Sequence, residues 1–140
     1  MNATDFRRLA QLRIQESEVL FQKSLYLGAY YLCGYAVECG LKACIAKRTK
    51  RGDFPPSVNE VRNVYVHDLD KLLDLVGNPL KLAIKGSPVR SSRWDVVKDW
   101  NEQSRYEFRP KKEAKLLAYA MLQAVTEAQN GIFPCIRQHW

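Results

Sequence analysis

The sequence predicts an all-α fold, an antiparallel up-and-down helical bundle of four to five helices. Apolar residues recur at intervals of three and four along most of the chain, the spacing of a helix face. β-Branched residues never alternate with polar ones for more than a few positions, so no strand is expected. The strongest breaks, at Gly and Pro, fall between the periodic segments. With 140 residues the chain has the length of one domain, spanning 1–140. Hydrophobic residues at 46% and charged residues at 26% exclude a disordered chain and a coiled-coil rod.

Met1 to Leu25 reads as the first helix, with Asn2 or Thr4 as its cap and Phe6, Leu9, Ala10, Arg13, Ser17, Leu20 and Ser24 at helical spacing. Gly28 allows a break, and a second helix runs from about Ala29 to Arg48. It is apolar nearly all round, with one small-residue stripe through Ala29, Leu32, Ala36, Cys39, Ala43 and Ala46, so it belongs at the centre of the bundle. KRTKRGDFPP, from Lys47 to Pro56, ends it. The KRTKR cations (47–51) either complement the helix dipole or form a nucleic-acid patch.

His67 or Asp68 opens a short third helix with Leu69, Leu72, Leu73 and Val76 inward and Gly77 as its stop. A short piece follows at Leu80 to Lys85. After Pro88, Trp94, Val97 and Trp100, or Val96 and Trp100, share a face, and Arg105 to Pro110 is a connection. The last helix starts around Pro110 and ends at Asn130-Gly131, with Leu116, Tyr119 or Ala120, Gln123 and Val125 inward.

Lys and Arg outnumber Asp and Glu by 22 to 15, and the resulting +7 favours anionic partners such as RNA, nucleotides or acidic protein surfaces. The longest apolar stretch, Leu25 to Ile45, is interrupted by Glu38 and Lys42 and fails as a membrane span. The first twenty residues lack a signal-peptide pattern, which leads to the expectation of a cytoplasmic protein. Cys33, Cys39, Cys44 and Cys135 form no C-x-x-C pair and read as core residues. Neither a metal nor a cofactor is expected.

The second helix, AYYLCGYAVECGLKACIAK, is similar to the second helix of HEPN domains. YVHDLDKLL resembles the family's His-Asp-Leu segment, and WDVVKDWNEQSRYE its Trp-rich helix ending in Arg-Tyr. The resemblance covers roughly residues 5 to 128. It implies a bundle of four or five helices, a homodimer, and a setting beside minimal nucleotidyltransferases or in toxin-antitoxin and phage-defence loci. It also implies binding or metal-independent cleavage of RNA. The family signature is Arg, a polar residue, three residues, then His. Arg62-Asn63-Val64-Tyr65-Val66-His67 fits it.

In that role His67 serves as general acid or base on a 2′-hydroxyl or a leaving 5′-oxygen, Arg62 holds the phosphate, and Asn63 orients a polar group. The alternative is structural, because the family signature usually sits inside a late helix, whereas here it enters a middle one. His67 and Asp68 would then be helix-start contacts. A second constellation, Arg93, Arg105, Tyr106 and Arg109 beside Trp94 and Trp100, offers cationic forks and stacking faces for nucleotide or RNA. Its bland counterpart has both Trp in the core and Arg105 paired with Glu102 or Asp99. Glu38 and Lys42 form an i,i+4 pair that either steadies the helix or, partly buried, lines a pocket. The functional alternative to an RNA-directed protein is a non-catalytic, dimeric protein-interaction module.

Overall fold

A computed structural model describes residues 1–48 and 66–140. Arg62 and Asn63, and most of the KRTKR segment, lie outside the described residues. Among the described residues there are seven α-helices, one 3₁₀ helix and no strand: α1 Ala3–Gln22, α2 Tyr26–Ala46, α3 Leu69–Val76, α4 Leu80–Lys85, α5 Pro88–Val97, the 3₁₀ helix Glu102–Tyr106, α6 Lys111–Thr126 and α7 Ile132–Arg137. The fold is all-α as predicted, but among the described residues the three long helices α1, α2 and α6 are accompanied by four short ones, where four or five helices were expected.

α1 starts at a reciprocal cap, in which the Asn2 side chain accepts from the Asp5 N–H while the Asp5 carboxylate accepts from that of Asn2. It ends at Gln22, and the turn that follows is made at Ser24, not at Gly28. Leu25 N–H reaches back to Leu20 O and Ser24 N–H to Phe21 O, a Schellman turn whose left-handed position is Ser24 at φ 62°. Gly28 therefore lies inside α2. The register of the hairpin is read from three contacts: Gly28 faces Leu20, Ser17 Oγ donates to Ala29 O at 2.6 Å, and Arg13 lies over the Tyr35 ring. As one number rises the other falls, so α1 and α2 are antiparallel.

α2 packs against α1, α3, α6, α7 and the 3₁₀ helix. From Ala36 to Ala46 every residue is buried, as expected of a helix without a polar face. All four cysteines are free and buried. Desolvation pushes the Cys39 thiol up to about 12 and that of Cys44 to about 11, so both act as small core hydrophobes. The two described cations after α2 bond carbonyls of neighbouring helix ends: Lys47 Nζ donates to His139 O at 2.8 Å and Arg48 to Leu75 O at 2.6 Å.

α3 follows its pattern, with all four predicted apolar residues buried, Asp68 as N-cap and Gly77 at φ 69°. α6 corrects the prediction. Its buried side is Ala114, Ala118, Met121, Ala124 and Val125, whereas Leu116, Tyr119, Ala120 and Gln123 are exposed. Small side chains at Ala114, Ala118 and Ala124 let α6 pack closely, with Met121 and Val125 filling the same side. Pro110 is its N-cap rather than its first residue, and it stops at Thr126. Gly131 then opens α7 instead of closing α6.

Candidate functional site

Two local devices set the site. Asp68 Oδ1 accepts from the Lys71 N–H at 3.0 Å and fixes His67 two residues before α3 begins. Beyond α5, Trp100 is buried against Gly34 of α2, and the Asn101 side chain accepts from the Gln103 N–H, starting the 3₁₀ helix at Glu102. The indole is an anchor. It places Glu102 opposite His67.

His67 is held from both ends. Its Nδ1 lies 3.0 Å from both carboxylate oxygens of Glu38, and its Nε2 is 2.9 Å from Glu102 Oε2. Glu38 is only 2% exposed, and Lys42 Nζ donates to its Oε1 at 2.7 Å. A carboxylate buried this deeply is costly unless paired and hydrogen-bonded. Here it has an ammonium and an imidazole. Ionised carboxylates only accept, so both ring nitrogens donate only when His67 is an imidazolium. The charges of Glu38, Lys42, His67 and Glu102 then cancel.

A cavity of about 470 Å³ opens beside this chain of contacts, lined by residues 66–68 and 98–103. The His67 side chain is 40% exposed and Glu102 35% exposed, against the closed position of Glu38. Chemically this is a proton-transfer arrangement: a base within hydrogen-bond reach of the cavity, oriented from behind by a buried carboxylate. Once His67 gives up its Nε2 proton, the Glu38 bond keeps Nδ1–H in place and presents Nε2 as the acceptor. Glu102 sits where a proton would arrive or leave.

The structural alternative for His67 is corrected in its detail. Asp68 is the cap, while His67 joins α2 to the 3₁₀ helix. Glu38 and Lys42 are buried more completely than the sequence suggests, and their i,i+4 spacing on an apolar helix was the available signal. Glu102 carried no such signal.

The second constellation is divided. Arg93 bonds Glu127 Oε2 at 2.6 Å, which also accepts from the Asn130 N–H, so Arg93 ties α5 to the turn after α6. Those bonds hold the Glu127 carboxyl below its usual range. Trp94 is buried, with its N–H donating to Asp70 at 2.8 Å, and Trp100 is a core anchor. Arg105 pairs with neither Glu102 nor Asp99. It lies 4.7 Å over the Tyr106 ring, both Arg105 and Tyr106 belonging to the 3₁₀ helix rather than to a plain connection. Arg109 bonds Glu107 at 3.1 Å on the surface.

Among the described residues no cluster of His, Cys, Asp and Glu is arranged to hold a metal ion. Nor is any helix there long and apolar enough to cross a membrane. In comparisons with known proteins, the chain matches no family model, no curated protein and no solved structure.

Proposed function

We propose that this chain is a HEPN-type helical protein directed at RNA or nucleotides, with His67 as the general acid–base of a metal-independent endoribonuclease. The observation that carries the reading is the imidazole at the cavity wall, backed by buried Glu38 and facing Glu102. In the reaction, His67 Nε2 takes the proton of a 2′-hydroxyl. The 2′-oxygen bonds to phosphorus, the bond to the 5′-oxygen breaks, and the departing oxygen receives from His67 the proton taken from the 2′-hydroxyl. Arg62 steadies the phosphate charge and Asn63 orients a polar group. The products are a 2′,3′-cyclic phosphate and a 5′-hydroxyl. End-labelled RNA incubated with the protein and excess chelator should yield those ends. RNA left intact at every protein concentration refutes the reading.

On this reading the protein is also a homodimer and the partner of a minimal nucleotidyltransferase in a toxin-antitoxin or defence system. A groove of about 480 Å³ over Leu12, Val19, Leu20 and Leu32 supplies an apolar surface for a second copy. Light scattering should give about twice 16.2 kDa. A 16.2 kDa species at tens of micromolar refutes the dimer.

The second reading, a non-catalytic dimeric interaction module, is favoured by the occupation of both ring nitrogens of His67. A fully bonded imidazolium is also a tie between α2 and the 3₁₀ helix. It stands if cleavage is absent and removal of the imidazole costs stability.

A further inference from the structure

The cavity at His67 ends at Gln103, and a different surface begins two residues later. From Arg105 to Lys115 the sequence is RYEFRPKKEAK: Arg105, Arg109, Lys111, Lys112 and Lys115 against Glu107 and Glu113, a net +3 out of the chain's +7. Within it Phe108 is 99% exposed and Tyr106 66% exposed. A single exposed apolar residue is ordinary. Two rings within three residues, set among five cations, form a pattern with a chemistry of its own.

The local structure keeps these groups outward. Tyr106 ends the 3₁₀ helix with the Arg105 guanidinium 4.7 Å over one face of its ring. Glu107 at φ −89°, ψ 140° and Pro110 at φ −51°, ψ 142° are extended, so the chain runs as an open arm before α6 turns in. Beneath the arm is a pocket of about 300 Å³, with Tyr26, Leu27 and Ala114 in its lining and Arg109 and Lys111 as its cations. That is the lower end of small-molecule sites, a space for one nucleoside rather than a large cofactor. Sequence-tolerant binding of single strands requires exposed aromatic faces for bases and a cationic track for the backbone. This arm has both.

We infer that the strip from Arg105 to Lys112 docks single-stranded RNA, with bases stacking on Tyr106 and Phe108 and phosphates following Arg109, Lys111 and Lys112. The inference rests on the RNA reading above and extends it with an attachment surface separate from the reacting groups. It begins where the cavity lining stops. One strand can lie on the arm and continue toward His67.

The test uses the whole chain and a fluorescent 2′-O-methyl oligouridylate of about twelve nucleotides, within the site sizes single-strand binders cover. That probe has no 2′-hydroxyl to attack, so binding is measured whether or not the protein cleaves. Anisotropy at low salt should show Phe108→Ala and Tyr106→Ala each weakening binding roughly 5- to 150-fold, while Tyr106→Phe keeps it. Replacing Arg109, Lys111 and Lys112 together by Ala should lower the salt slope by about 0.7 per residue. The substituted side chains are exposed, and circular dichroism should be unchanged. Unaltered affinity in both ring variants overturns the proposal, as does equal affinity for a duplex of the same length. Oligothymidylate bound tenfold more tightly overturns RNA as the occupant. Binding to phosphatidylserine vesicles with none to the oligonucleotide transfers the surface to lipid and overturns it as well. A protein that binds through the strip but cleaves nothing keeps this surface and loses the ribonuclease.

Discussion

Gly34→Ala tests the packing that supports the site. A β-carbon at Gly34 would fall well under 3.0 Å from three atoms of the Trp100 ring, an approach real β-carbons essentially never show. The indole cannot yield in place, because it is 1% exposed and lies in a close-packed interior. Ejecting it costs about what truncating a core Trp costs, ~3–5 kcal/mol. Alanine returns about 1 kcal/mol as a better helix former than glycine. The net loss is therefore about 2–4 kcal/mol, a large share of a domain's 5–15 kcal/mol. Urea unfolding followed by circular dichroism should show the midpoint falling by about 1–2 M at an ordinary slope near 2 kcal/mol/M. Gly28→Ala is the internal comparison: there the new carbon meets only Leu20 Cδ1 at 3.3 Å, so the propensity gain and the mild contact nearly offset each other. Equal stability of the two variants would refute the claim that Trp100 is wedged on Gly34. It would also remove the anchor that sets Glu102 opposite His67.

Other substitutions probe separate parts of the account. Asp70→Ala leaves the buried Trp94 N–H without its acceptor and should cost about 1–3 kcal/mol by thermal or urea unfolding. The Trp94 bond, with help from Lys85, holds the Asp70 carboxyl below its usual range of about 3.8, so its ionised form favours the fold above that pH. The contribution is lost as the pH falls through the lowered value, and Asp70→Ala should flatten that part of the acid limb. On α6, Met121→Ala should cost about 2–5 kcal/mol, whereas Leu116→Gln should stay within about 0.5 kcal/mol, since Met121 is buried and Leu116 is not. The reverse order would restore the face expected from the sequence.

Legibility in the sequence followed how local each determinant was. α3 was readable because Leu69, Leu72, Leu73 and Val76 mark one face and Asp68 and Gly77 mark both ends. α2 was readable as the central helix for lack of any polar face. The start of α2 was not, because a serine took the left-handed turn that glycine usually fills, and a nearby Gly28 offered a false break. On α6 the small residues Ala114 and Ala118, with Met121 and Val125, carry helical spacing of their own. Weight given to the larger Leu116 and Tyr119 hid it. α7 is six residues long with a proline inside, too short to leave a periodic trace. Of the site, His67 stood out by its spacing from Arg62. Its partner Glu38 lies 29 positions earlier, and only tertiary packing joins the two. Glu102 depends on Trp100 in the same way.

The central claim, that His67 transfers the proton, is tested most directly by the single-turnover rate of RNA cleavage in His67→Ala against the unaltered chain. Both are assayed in chelator and at matched folded fraction. A positioned acid–base group contributes about 10²–10⁴-fold, so the rate should fall at least a hundredfold while the helical spectrum persists. A His67→Ala protein that cleaves RNA at the full rate would contradict the account and leave the imidazole as a tie between Glu38 and Glu102.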